Sequence, residues 1–145
     1  GVAKMDSDEP EDSFDYEAYR AEMEAEEQKE REESERIQDM VTQQAVEAGQ
    51  DWAADTLYDA KNNPSMWQRD GHTSVEDYVM SFGQDAAGDI ADSLLKYGES
   101  EVRNWWNDLP DKESRYDHRP TRQTMKDIVA DYFYDGISKQ MQKAA

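Results

Sequence analysis

The sequence predicts an all-α protein, a long acidic N-terminal helix joined to a small bundle of about four amphipathic helices. Three observations carry this. Apolar residues recur at spacings of three and four in several separate stretches, and capping and stop residues bracket those stretches. No sustained apolar–polar alternation and no Asn-Gly hairpin turn points to a strand.

Residues 1–12, including Asp6-Ser7-Asp8-Glu9-Pro10-Glu11-Asp12, have little to bury and are expected to be a disordered acidic tail. Residues 13–36 read as an acidic helical arm. Ser13 is the expected N-cap, Asp15 and Glu17 suit the positive end of the helix, and good helix formers dominate through Arg36. Between Glu24 and Arg36 the only apolar side chain is Ala25, so no coiled-coil seam runs there and the stretch is expected to be solvated. Glu27 with Arg31 and Glu32 with Arg36 have the spacing that supports an isolated helix by a few tenths of a kcal/mol per pair.

The helical core domain is expected over 37–145. Its first stripe is Ile37, Val41, Ala45, Ala48 and Trp52. Gly49 is expected to end or bend that helix, Trp52, Ala53 and Leu57 continue the pattern, and Asn62-Asn63-Pro64 stops it. Trp67 is expected to anchor a short connector. Thr73-Ser74-Val75-Glu76 has capping-box spacing, which puts Thr73 or Ser74 at the start of a helix whose stripe runs Val75, Val79, Phe82, Ala86, Ile90, Leu94 and Tyr97, with Gly98 as its stop. Gly83 and Gly88 lower helix propensity there and allow close approach by another helix.

Val102, Trp105, Trp106 and Leu109 make a short amphipathic helix ending before Pro110. Asp111–Pro120 is a polar, basic-tinged loop with Arg115, His118 and Arg119. Thr121 is the expected cap of the last helix, with Met125, Ile128, Val129, Tyr132, Phe133, Ile137 and Met141 inward. Lys139 and Lys143 suit its negative end.

Charge bears most directly on function. The chain has 35 Asp and Glu against 16 Lys and Arg in 145 residues, a formal charge of -19. An ordinary DNA-binding domain needs the opposite sign to neutralise phosphates, so direct nucleic-acid binding is not expected. Fifteen acids and three bases fall between Asp6 and Glu35, so the charge is densest at the N-terminal end. The absence of Cys excludes disulfides and thiolate zinc sites, and two His leave little for a metal cage, so neither cofactor nor metal is expected. No apolar run approaches a membrane span of roughly 20 residues, which gives the expectation of a soluble, cytoplasmic protein, in the host cytoplasm if phage-encoded. There is no nucleophile elbow, Gly-rich phosphate loop, zincin motif or EF-hand loop, and the paired acids fall on wet helix faces rather than in a cleft. No enzyme activity is expected.

Two constellations remain as candidate partner-binding residues. Asp51, Asp55 and Asp59 recur every four residues; Asp85, Asp89 and Asp92 nearly repeat this, and Asp127, Asp131 and Asp135 do so again. Each ladder lies on one helical face with about 6 Å between successive members. A plain polar helix face in an acidic chain would look the same. The second constellation is the arm, with Asp15, Glu17, Glu22, Glu26, Glu30 and Glu33 among ten acids between Phe14 and Glu35. That is one carboxylate per roughly 3.3 Å of helix, against one phosphate per about 3.4 Å along a DNA strand. Phe14, Tyr16, Tyr19, Trp67 and Trp105 are the aromatics available to add affinity at an interface. The plain alternative is a charged spacer with its tryptophans in the core. His72 near Asp70 and His118 beside Asp117 would form a metal site only if folding joined them; surface histidines are the simpler reading.

Small size, acidity, helical patterning and the lack of a catalytic motif together resemble the acidic phage and plasmid DNA-mimic proteins of the antirestriction and anti-CRISPR type. Phe14-Asp15-Tyr16-Glu17-Ala18-Tyr19 looks like a short acidic-aromatic segment in plasmid-borne antirestriction proteins. The resemblance implies a protein that evades host defence by binding and inhibiting a DNA- or RNA-binding enzyme, such as a restriction, CRISPR or repair complex. Its partner would be a protein with a basic nucleic-acid-binding groove, and the acidic residues of that segment would make contact. The alternative is a non-enzymatic helical adaptor or scaffold docking through an apolar face; a chaperone for basic proteins is a third reading. The surplus of Met and aromatic residues is also compatible with a homodimer.

Overall fold

The computed structural model describes Phe14–Ala144 and forms five α-helices among those residues. They are α1 (Tyr16–Asn62), α2 (Ser65–Gln68), α3 (Val75–Lys96), α4 (Ser100–Asp108) and α5 (Arg122–Ala144). The all-α expectation holds: the described residues contain no strand, only an isolated bridge between Ser114 and Asp117. The tail expected at 1–12 and the cap expected at Ser13 lie outside the described residues. No described helix is long and apolar enough to cross a membrane. The chain divides into two units, Gly1–Glu33 and Ser34–Ala145.

In the first unit, Asp15 caps α1. Its carboxylate accepts from the Ala18 N–H at 3.0 Å and its carbonyl from the Tyr19 N–H at 3.0 Å. Every described residue up to Glu33 is exposed, so helix formation here rests on intrinsic propensity and local contacts such as Gln28 donating to Glu32 at 3.0 Å.

In the second unit, burial along α1 begins at Ser34 and continues through Ile37, Val41, Ala45, Gly49, Ala53, Leu57 and Ala60. Ser34 is polar, yet it is buried because its Oγ accepts from the Trp105 indole N–H at 2.9 Å, which gives a buried donor its partner. Of the two expectations for Gly49, an end or a bend, the first does not hold: the helix continues to Asn62. Gly49 sits where α1 crosses α5: a Cβ there would collide with the Phe133 carbonyl, and one on Gly136 would collide with the Val46 carbonyl. The residue is glycine because two backbones touch.

Of the two expected caps, Ser74 opens α3, its Oγ accepting from the Asp77 N–H at 3.0 Å. The buried face, however, runs Val79, Gly83, Ala87, Ala91 and Leu95, with Tyr78 beside it. The expected stripe is therefore rotated: Val75, Ala86, Ile90 and Leu94 are half-buried flanks, and Phe82 and Tyr97 are exposed. Gly83 explains the rotation, because a Cβ there would strike the Ile137 side chain and lie 3.1 Å from the Trp52 ring. Small residues occupy the centre of this face because little room is left. Gly88 meets nothing, so close approach is used at one of the two expected glycines. The helix ends at Lys96, and Gly98 lies against the Leu94 carbonyl.

Helix α4 buries Val102, Trp105 and Trp106, with Leu109 after it, as the spacing predicts. Thr121 is buried and caps α5, its Oγ1 accepting from the Thr124 N–H at 3.1 Å. Met125, Val129, Phe133 and Ile137 are fully buried on α5, and Met141 nearly so. Tyr132, expected inward, is exposed, while Tyr134 packs half-buried against the core. Trp67 on α2 also packs half-buried against the core, leaving its indole N–H buried without an acceptor.

These placements give opposite expectations for chemically similar changes. Gly136→Ala should cost about 3 kcal/mol in urea unfolding, because backbone must move, whereas Gly88→Ala should gain up to about 1 kcal/mol from helix propensity alone. Equal effects would contradict the crossing. Leu95→Ala should cost roughly 2 to 4 kcal/mol and Leu94→Ala clearly less, since Leu95 lies at the centre of the buried face.

Candidate functional site

The carboxylates fall into two groups, those used to build the fold and those left on its surface. Asp15 belongs to the first, since its side chain is the α1 cap. So does Asp92, which is half-buried between Lys126 of α5 at 3.1 Å and Lys96 at 3.6 Å. That ion pair ties α3 to α5, so the second ladder is shorter than its spacing implies. Asp135 pairs with Lys139 at 3.3 Å one turn along α5, and Asp127 accepts from Gln123 at 3.0 Å.

The second group is exposed. Asp51, Asp55 and Asp59 lie on the face of α1 away from Ala53, Leu57 and Ala60, and no cation among the described residues pairs with them. Asp85, Asp89 and Asp131 are exposed and equally without an ion pair. In the first unit, Glu17, Glu22, Glu26, Glu30 and Glu33 are exposed along α1.

The first ladder is longer than the sequence reading made it. Glu47, four residues before Asp51, is exposed and extends the row by one turn. The same four-residue spacing was the available signal, obscured by the change from Asp to Glu. The first two ladders also sit on helices joined by a ring contact: Trp52, next to Asp51, meets Phe82, three residues before Asp85, edge to face at 5.3 Å. Carboxylates on α1 and α3 thus flank a partly exposed aromatic pair.

Three arginines of the second unit hold joints. Arg36 pairs with Glu101 of α4. Arg119 grips Asp117 through Nε at 3.0 Å and Nη2 at 2.9 Å, and reaches Asp108 with Nη1 at 2.8 Å. Arg122 pairs with Asp111 and donates to the Asn107 carbonyl at 3.0 Å. Of the basic residues in the loop, Arg119 is therefore structural, while Arg115 contacts the neighbouring Tyr116. These contacts shape an open cleft of about 670 Å³ lined by Gln38, Ser114, Arg115, His118, Arg119 and Thr124, among others. His72 does not meet His118: its Nδ1 donates to Asp77 at 3.0 Å and its ring lies against Tyr78. Among the described residues, no group of three or more His, Asp or Glu is arranged to hold a metal ion.

Of the two sequence-expected interface tryptophans, Trp105 is buried and Trp67 half-buried. Phe14, Tyr16 and Tyr19 are exposed. Comparison with known proteins finds no matching family model, no similar curated protein and no similar solved structure.

The Asp117–Arg119 contact has a defined pH dependence. Hydrogen bonds from Arg119 hold Asp117 at about 2, below its ordinary 3.8. A lowered carboxylate value contributes stability that is present above the ordinary value and lost as pH falls through the lowered one. Asp117→Asn should therefore lower the melting temperature at neutral pH, with the gap from the parent protein closing between about pH 4 and pH 2. A gap that stays constant across that range would show that the ion pair contributes nothing.

Proposed function

We propose that this protein is an acidic nucleic-acid mimic that binds and inhibits a host DNA- or RNA-binding enzyme, such as a restriction, CRISPR or repair complex, by occupying its basic groove. The observation that carries the reading is the row Glu47, Asp51, Asp55 and Asp59, exposed on a packed helix with no cation among the described residues paired to it. Carboxylates fixed at about 6 Å intervals on a buried scaffold need little reorganisation to meet a surface of Lys and Arg. The exposed glutamates of Phe14–Glu33 offer a second, denser row. With a net charge of -19, the protein attracts a basic groove over the distances at which nucleic acid does.

The test is capture of such an enzyme from nuclease-treated host lysate at graded salt. The bound enzyme should elute at moderate salt and be displaced by DNA or RNA. Replacing Asp51, Asp55 and Asp59 together with Asn removes charge while nearly preserving shape, so release should come at lower salt with a shallower salt dependence. Retention indifferent to salt, to nucleic-acid competitor and to these substitutions would reject mimicry and favour an adaptor that docks through apolar contacts.

A further inference from the structure

We propose that the start of α1 is a docking helix whose aromatic face enters an apolar groove rimmed by Lys and Arg on a partner protein. This deepens the reading above by adding a contact that phosphate replacement does not require, and it rests on that reading only for the basic rim. Phe14, Tyr16, Tyr19 and Met23 are 47%, 71%, 51% and 41% exposed, although each is a large apolar or aromatic side chain. Single exposed apolar residues are ordinary, but these are contiguous.

Tyr16, Tyr19 and Met23 are spaced i, i+3 and i+7 and fall within about 60° of arc at 3.6 residues per turn. Phe14 folds over the first turn, with its ring 4.7 Å from Tyr16, edge to face, and 5.6 Å from Tyr19. The Asp15 cap holds that turn in place. The result is a preformed set of anchors with the spacing by which an amphipathic helix fills a groove, and preformed anchors lose less entropy on binding.

Charge selects the occupant. At the same helical pitch, Glu22 and Glu26 line one flank of the stripe, and on the other Glu17 and Glu24 lie beyond Arg20. A second copy of this chain would set like charges against each other around the aromatic centre, which costs affinity. A groove with an apolar floor and a Lys/Arg rim matches both features.

The test uses the full chain and two probes: an amphipathic helical peptide with one leucine and one lysine face, and poly-L-lysine, which carries charge without an apolar face. Replacing Phe14, Tyr16 and Tyr19 with Ser should weaken binding to the amphipathic peptide by about tenfold or more, as expected for truncated aromatic anchors, and leave poly-L-lysine binding within about twofold. Circular dichroism should show the helix retained, since these residues are exposed. Replacing Glu22, Glu26 and Glu30 with Gln should instead weaken both. Unchanged binding of the aromatic variant to the amphipathic peptide would overturn the proposal, and so would an equal loss on both probes. Failure of the parent protein to bind poly-L-lysine, with aromatic-dependent binding to the amphipathic peptide intact, would count against mimicry and leave the docking helix standing.

Discussion

At the crossing of α1 and α5, Gly49 faces Phe133 and Gly136 faces Val46 with no room for a methyl group on either side. Each glycine costs a helix interior about 1 kcal/mol relative to alanine, so both helices carry a local penalty that only tertiary contact can offset. The contact does so by setting neighbouring side chains at core distances. Trp52, one turn after Gly49, lies 5.9 Å from the Phe133 ring, and Trp52 and Ile137 together leave Gly83 of α3 no space for a side chain. Three helices are fixed by one close approach. The three Asp ladders lie on those same three helices, so the crossing also fixes the surface that the proposed function uses.

With 35 acids and 16 strong bases, one-to-one pairing would leave more than half of the carboxylates without a cation. The structure determines which. Arg36, Arg119, Arg122 and Lys126 bridge residues on different elements, where an ion pair closes the tertiary structure. Exposed pairs of this kind contribute modestly one by one, but each also relieves repulsion where two acidic segments meet. These four cations, held at joints, are not available to the outward helix faces. The acidic surface is thus tied to how the bundle is held together, as well as to composition.

What the sequence disclosed and what it hid follow from the same physics. Helix existence, the Ser74 and Thr121 caps and the α4 face were legible because each signal is local, carried by residues within a turn of one another. The α3 face was not, because Gly83, Ala87 and Ala91 carry almost no hydrophobic signal while the larger Phe82, Ile90 and Leu94 flank them. Gly49 reads as an end or a bend because a partner backbone more than 80 residues away in sequence leaves no local trace. Among the candidate partner-binding residues, Asp15 and Asp92 turned out to serve the fold for two different reasons. The cap at Asp15 was a local possibility overshadowed by Ser13, whereas the role of Asp92 depends on Lys126 in another helix.

The choice between the two acids follows the division between packed and unpacked helix. Between Phe14 and Glu35 the acids are nine Glu and one Asp; from Arg36 onward they are five Glu and fifteen Asp. Glutamate is the better helix former, and the described residues before Ser34 have no buried face to hold them helical, so propensity must do that work. The one Asp there, Asp15, sits at the cap, where a short carboxylate reaches back to a free N–H and Asp is preferred. In α1 beyond Ser34, in α3 and in α5, burial stabilises the helix, and the lower propensity of Asp is tolerated. A shorter side chain then holds its charge nearer the backbone with fewer rotamers to freeze on binding. Asp ladders are therefore tolerated only on helices that the core already holds, so the short carboxylates fall on the bundle and the longer glutamates on the unpacked start of α1.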